Sequence, residues 1–231
     1  MSFQSTDTTR PIDLVIFDCD GVLIDSEALS ANVLTAVLKE EGIVIDLPYF
    51  RRHFLGRSFS TVVKAIDAGF GVVVPQDFEA RYTSRLLAGF ELNLKTTEGV
   101  LEILAALKVP FCVATSSSPK RVARSLEVVG LSGHFDGVVF TASEVKNGKP
   151  APDLFLHAAN KMGVDPARCL VIEDSLPGVA AGLAAQMDVV RFLGGAHFAG
   201  RLPAVVENVD VFDKWSKLVE LRPSLLKGSA R

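Results

Sequence analysis

The chain is poor in the residue types that most often announce a function by themselves. Its 231 residues include three cysteines, four histidines, one tryptophan and two tyrosines. Cys19, Cys112 and Cys169 are scattered through apolar stretches and cannot all pair. None has metal-ligand spacing, so they read as buried free thiols in a reducing compartment rather than a disulfide framework or a thiolate metal site. His134, His157 and His197 have no visible partner in the sequence and read as ordinary structural histidines. Neither charge sign dominates: 24 Lys and Arg stand against 27 Asp and Glu, a net charge of −3. That balance argues against nucleic acid or an anionic membrane as the main partner. No apolar run approaches the roughly 18 residues of a membrane span. Met1–Arg10 is polar and lacks the apolar centre of a signal peptide. These absences predict a soluble, cytoplasmic chain with a frayed N-terminus, and a monomer is the default expectation.

What is present is apolar: 48% of the residues are hydrophobic, enough for one large domain or one domain with an insert. The stretch Leu14–Glu27 organises the rest. Leu14–Phe17 is a continuous apolar run of strand length, as expected of a strand buried on both faces. Asp18, Asp20 and Gly21 follow at once, where open α/β sheets place their ligands. Two acids one residue apart beside a buried strand are a costly charge cluster unless a cation or solvent relieves it.

Beyond this stretch, Asp25-Ser26-Glu27 offers N-cap chemistry for a helix that carries Leu29, Val33, Leu34, Val37 and Leu38 and stops at Gly42. Helices are predicted over 59–68 and 78–92, with turns at Pro48, Gly56, Gly69, Gly71 and Pro75 and a connection at 72–74. Arg51-Arg52-His53 reads as a solvated basic run. From Glu98 the rhythm changes. Helices over 98–107, 119–129, 152–162, 177–185 and 213–221 alternate with strands over 111–114, 137–140, 169–172, 188–193 and 209–212. Such alternation means a parallel sheet with helices on both faces. The predicted architecture is α/β: a Rossmann-like core over 9–24 and 96–226, a helical cap inserted over 25–95, and tails at 1–8 and 227–231.

In a parallel sheet the C-terminal strand ends share one edge. That edge would gather Asp18 and Asp20, then Thr115-Ser116-Ser117-Ser118, then a loop through Ser143, Glu144 and Lys146 to Lys149, then Glu173-Asp174-Ser175. Carboxylates suit a hard divalent cation such as Mg2+, and hydroxyls with helix N-terminal N–H groups suit phosphoryl oxygens. Taken singly, each cluster has an ordinary reading. Thr115–Ser118 and Glu173–Ser175 can cap helices, and Lys149 can be a solvated loop lysine. Capping alone does not account for four such clusters, each at a strand end.

These residues resemble a known family. Asp18-Cys-Asp20-Gly-Val is similar to the DxDG(T/V) signature of the haloacid dehalogenase (HAD) superfamily. Thr115 after Cys-Val-Ala, Lys149 in Gly-Lys-Pro-Ala-Pro-Asp, and Glu173-Asp174-Ser175 resemble its other three motifs in order. The position of the helical insert resembles the C1-capped phosphatase and β-phosphoglucomutase-like branch. The resemblance implies an Mg2+-dependent hydrolase of a small phosphorylated metabolite, of sugar-phosphate type. Asp18 would be the nucleophile and Asp20 the general acid and base. Thr115, the Ser116 N–H and Lys149 would hold phosphoryl oxygens. Asp18, the Asp20 main-chain carbonyl and Asp174 would bind the metal, with Glu173 direct or through water. Gly56-Arg57-Ser58 would be the cap loop that faces the substrate, with Arg57 a candidate for a second anionic group.

Rival readings remain on the same motifs. A true dehalogenase needs neither Asp20 nor the Glu173-Asp174 pair. A β-phosphoglucomutase-like enzyme usually carries a His where this chain has Ser30 and an Arg where it has Phe59. An idle regulatory domain has no chemical need for Asp18, Asp20, Thr115, Lys149 and Asp174 together. A signalling receiver domain shares the acid cluster but not the cap.

Overall fold

The computed structural model describes residues 11–200 and 203–226. The expected tails at 1–8 and 227–231, and residues 9 and 10, lie outside the described residues. In chain order the first elements are β1 (Leu14–Phe17), α1 (Glu27–Glu40), α2 (Leu47–His53), α3 (Phe59–Phe70), α4 (Phe78–Asn93) and α5 (Val100–Ala106). They are followed by β2 (Phe111–Thr115), α6 (Pro119–Val128), β3 (Val139–Thr141), α7 (Asp153–Met162) and β4 (Cys169–Glu173). The last are α8 (Leu176–Ala184), β5 (Asp188–Phe192), β6 (Asp210–Phe212) and α9 (Trp215–Leu221).

The sheet order is β3-β2-β1-β4-β5-β6 and every pairing is parallel. β1 is central: Ile16 registers with Cys112 on one side and Val171 on the other. Strand order reverses between β1 and β4, and such a switch opens a crevice at the C-terminal strand ends. Successive strand residues point to opposite faces. Leu14, Ile16, Ala114 and Val171 therefore pack with Leu154, Phe155 and Ala158 of α7 and Val179 and Ala181 of α8. Val15, Phe17, Val113 and Ile172 face the other way, towards Ile103 of α5, Val122 and Leu126 of α6, and Trp215 and Leu218 of α9. All four β1 side chains are wholly buried. Each contributes about 1.5–3 kcal/mol, which anchors the acids that follow.

The chain leaves the sheet after β1 and returns before α5. Ile24 bridges Thr96, Asp25 N donates to Lys95 O at 2.9 Å, and Thr97 N donates to Leu23 O at 3.0 Å. The buried Thr97 hydroxyl donates to Val22 O at 2.6 Å and accepts from Trp215 Nε1 at 3.0 Å. Outgoing and returning segments are thus pinned side by side, with α1 to α4 between them. α1 packs on α4, and α4 rests on α6 of the sheet layer.

Several local expectations are corrected. Pro48 is not in a turn; it lies in the first turn of α2, where a missing N–H costs nothing. Asp46 caps that helix by accepting from Tyr49 N at 2.7 Å. Arg51, Arg52 and His53 form its last turn, the end where cations suit the helix dipole. Ser26 stands at the N-cap of α1 but makes no capping bond, because its hydroxyl is drawn to Asp20. β3 begins at Val139, where its ladder to Val113 starts, rather than at 137. α5 and α9 each begin two residues later than expected. The three cysteines are free and buried. Among the described residues no helix is long and apolar enough to cross a membrane.

Candidate active site

The edge formed by the C-terminal ends of β1, β2 and β4 gathers most of the polar residues singled out by the sequence. β1 delivers Asp18 and, just before a turn at 21–23, Asp20. The turn needs Gly21: its φ is +82°, and a Cβ there would lie 2.2 Å from Asp174 Oδ2. β2 delivers Thr115, and β4 delivers Glu173 and then Asp174.

Lys149 ties these strand ends together. Its Nζ donates to Asp18 Oδ1 at 2.6 Å, Glu173 Oε1 at 2.7 Å and Ala114 O at 3.0 Å. An ammonium has three donors, so all are used. It is buried, and lies 4.8 Å from the centroid of the Phe155 ring. The solvated-lysine reading is therefore excluded. Burial opposes the Lys149 charge, but Asp18 and Glu173 outweigh it and hold its pKa above the ordinary lysine value. Burial pushes the Asp18 carboxyl well up; Lys149 pulls against that, while Glu173 and Asp174 add to the rise.

Glu173 spends its other oxygen locally. Oε2 accepts from Ser175 N at 2.7 Å and from Ser175 Oγ at 3.0 Å, and that hydroxyl accepts in turn from Gly178 N at 3.1 Å. Ser175 thus does cap α8, and both Glu173 oxygens are engaged. Asp174 is different. Its Oδ2 is buried with no hydrogen bond. His197 Nε2 lies 3.0 Å away, at ion-pair distance but without hydrogen-bond alignment. Burial lowers the pKa of that imidazole, so it brings no dependable charge. One carboxylate oxygen from each of Asp18, Glu173 and Asp174 lies within 4.8 Å of the other two. Three buried acids, one lysine and an unsatisfied carboxylate oxygen leave room for positive charge. The donor set is all oxygen, which fits a hard cation.

Asp20 sits in the opposite environment. Its Oδ1 accepts from Ser26 Oγ at 2.5 Å and from Arg121 Nη2 at 2.7 Å, and its Oδ2 accepts from Ser117 Oγ at 2.6 Å. Burial opposes its ionisation, yet Arg121 and these hydroxyls outweigh burial and hold the carboxyl below the usual range. Two carboxylates two residues apart thus sit in different surroundings, Asp18 against a lysine and two further acids, Asp20 among an arginine and two serines.

Asp18, Asp20, Thr115, Ser116, Gly56 and Arg57 share one cavity, partly open to solvent, between α1 to α4 and the sheet edge. Thr115 is buried, and its Oγ1 accepts from Ser117 N at 3.1 Å. Ser116 Oγ donates to Gly56 O at 3.2 Å, which links the sheet edge to the loop between α2 and α3. Arg57 Nε is buried without a partner. Ser58 departs from expectation: its hydroxyl lies 3.0 Å from Thr61 Oγ1 and 3.1 Å from Ser60 Oγ, bound to the start of α3, and it does not line the cavity.

Sequence reasoning missed Glu27, Arg121, Ser26 and His197 as site neighbours; it brought Ser117 to this edge without its bond to Asp20. Arg121 falls on an amphipathic helix, where a lysine or arginine ordinarily reads as solvated. Its meeting with Asp20, a hundred residues earlier in the chain, has no local signature.

Comparison with known proteins agrees with this geometry. A model of haloacid dehalogenase-like hydrolases matches residues 12–186. The chain is 28% identical to 6-phosphogluconate phosphatase of Escherichia coli over 211 residues, 91% of this chain and 94% of that protein. It is 33% identical to a probable pseudouridine-5'-phosphatase of Drosophila melanogaster over 193 residues, 78% of this chain and 81% of that protein. Among solved structures, a HAD family hydrolase from Deinococcus radiodurans with bound phosphate and sodium is 33% identical. That match covers 94% of this chain and 99% of that one, with a TM-score of 0.71.

Proposed function

The chain belongs to the haloacid dehalogenase-like hydrolase family, and within it we propose an Mg2+-dependent phosphatase of small phosphorylated sugars that works through an aspartyl-phosphate. The observation that carries this reading is the pairing of opposites at β1. Asp18 is buried against Lys149 and the β4 acids, while Asp20 is held apart by Arg121 and two serines.

An Asp18 oxygen attacks phosphorus as the bond from phosphorus to the sugar oxygen breaks, and a proton on Asp20 passes to that oxygen. Asp20 then takes a proton from water as the water oxygen attacks phosphorus. The Asp18–phosphorus bond breaks and inorganic phosphate leaves. With three side-chain donors on it, Asp20 stands here as the carboxylate that accepts the second proton. Giving up the first requires one donor to let go. Thr115 and the Ser116 N–H would hold the phosphoryl oxygens, joined by Lys149 once it exchanges one of its three present acceptors. Asp18, the Asp20 carbonyl and Asp174 would hold Mg2+, with Glu173 acting through water because both its oxygens are taken. Bound Mg2+ would offset the repulsion between an anionic nucleophile and an anionic substrate.

Residues 25–95 form the cap in this reading, closing over a core of 9–24 and 96–226. Closure excludes bulk water and leaves the choice of sugar to the cap side of the cavity. The relatives are phosphatases of 6-phosphogluconate and of pseudouridine 5'-phosphate; both substrates join a phosphoryl group to a polyhydroxylated carbon skeleton. A mutase acting on a sugar bisphosphate is the second reading. It needs a cationic cap group, and the unpartnered Arg57 Nε at the cavity supports it.

The test is phosphate release with Mg2+ from p-nitrophenyl phosphate and a panel of sugar phosphates, with products separated to detect an isomerised sugar. Free phosphate from one or more sugars, abolished in Asp18→Asn, is the expected result. No release from any ester, or full activity in Asp18→Asn, would refute the hydrolase mechanism. An isomer without free phosphate would favour the mutase.

A further inference from the structure

Arg121 is the side chain of the cavity that touches both the sheet-edge chemistry and the helices above it. It belongs to α6 of the sheet layer, yet its Nη2 donates to Asp20 Oδ1 at 2.7 Å and to Ser30 Oγ on α1 at 3.0 Å. Its guanidinium carbon lies 5.8 Å from the centroid of the Phe90 ring on α4, within cation–π range. Asp20 has two other side-chain donors, Ser26 and Ser117. Among these three donors, Arg121 alone brings a charge, and its planar head fixes direction as well as distance. The same head that aims the carboxylate therefore rests against two of the helices that roof the site.

We infer that Arg121 is a positioning residue for Asp20: it orients the carboxylate toward the leaving oxygen and makes that orientation depend on α1 and α4 being seated. This rests on the phosphatase reading above. With the roof lifted, Arg121 loses Ser30 and the Phe90 face, and Asp20 loses its aim. With the roof seated, Asp20 keeps its aim at the moment water is excluded, and one of its two serine donors is the one that lets go when it carries the proton. Arg121 itself transfers no proton and touches no reacting atom.

Leaving-group dependence separates this role from a merely structural one. p-Nitrophenolate leaves without help from an acid; an alkoxide of a sugar does not. Positioned acid–base groups contribute about 10²–10⁴-fold. Arg121→Met should therefore lower kcat/KM for a sugar phosphate by at least about 10²-fold, while p-nitrophenyl phosphate falls far less. The loss should sit in kcat rather than KM. Arg121→Lys keeps the charge but not the fork, so it should recover part of the sugar-phosphate rate. It gives the same comparison if the Met variant does not fold. Ser30→Ala, which removes only the link to the roof, should shift the ratio of the two substrates in the same direction by a smaller factor. Equal losses on both esters, or no loss on either, in a variant that folds would overturn the inference and leave the phosphatase reading standing. A wild type that hydrolyses neither ester would overturn both.

Discussion

Removing Lys149 should unmask the charge that the site stores. Its ammonium holds Asp18 at 2.6 Å and Glu173 at 2.7 Å, with Asp174 in the same cluster. Deleting one partner of a buried ion pair costs about 3–5 kcal/mol, because the remaining charge is uncompensated. Lys149 serves two acids at once, so Lys149→Met should lie at the upper end, about 5 kcal/mol at pH 8 without divalent cations. In a chain of this size each kcal/mol moves Tm by about 2–4 °C, so the midpoint should drop by about 10–20 °C. The loss must depend on pH. Asp18 is already raised in the folded state, and losing Lys149 raises it further. An acid whose folded pKa exceeds its unfolded value costs nothing below the unfolded value, about 4. Its cost grows as pH climbs towards the folded one. The difference between wild type and variant should therefore be small near pH 4 and largest near pH 8, and Mg2+ should restore part of it. Thermal melts of both proteins across that range, with and without Mg2+, measure all of this. A difference that is flat with pH, or under about 1 kcal/mol at pH 8, would contradict the strength assigned to this cluster.

Two further perturbations probe the surroundings. Glu27 is buried beside the site, and burial, helped by Asp20 and Asp174, pushes its carboxyl up to about 8. Wild-type stability without metal should fall between about pH 4 and pH 8, with up to about 1.4 kcal/mol per pH unit from this group. Glu27→Gln should flatten that slope and be the more stable protein at pH 8.5; parallel stability curves would show that Glu27 is not held protonated. Gly56 has φ +71° and its added Cβ would stand 2.5 Å from Ser175 Cβ. Gly56→Ala should cost about 1–2 kcal/mol of backbone energy and hold the loop off the sheet edge. A misplacement of about 1 Å lowers turnover up to about 10²-fold, so unchanged kcat/KM on a sugar phosphate would show that this contact does not seat the roof.

The sheet was legible because apolar runs of strand length alternate with helical periodicity, and β1 could be placed from four residues. The acids at its end were legible for the same reason: a buried strand ending in Asp-x-Asp has no ordinary structural explanation. Lys149 was legible only jointly, as one of the clusters at the strand ends and through the resemblance; its residue type and loop position by themselves pointed to solvent. α2 was hidden because Pro48 reads as a turn until Asp46 is seen to cap it. Arg121 and Ser26 were hidden for a deeper reason. Their function is a set of contacts to Asp20 made by folding, and each carries a local identity, helix face or cap, that already accounts for it. Ser26 shows this directly: the N-cap position is its by sequence, but its side chain turns to donate to Asp20, and in that orientation its oxygen accepts no bond from the start of α1.

Asp25 and Lys95 lie one hydrogen bond apart, although sixty-nine residues of chain run between them. Along the chain, that whole excursion is a closed loop whose two ends meet at one place beside the sheet. Any replacement whose ends meet at the same spacing could be grafted there without shifting β1 against β2 or β4. Lengthening it is cheap as well, since doubling a flexible loop adds only about 0.6 kcal/mol of closure entropy. On the function proposed above, such a molecule can exchange the part that selects its substrate while the reacting residues keep their register. New specificities can then arise by substitution of a module rather than by redesign of a catalytic centre.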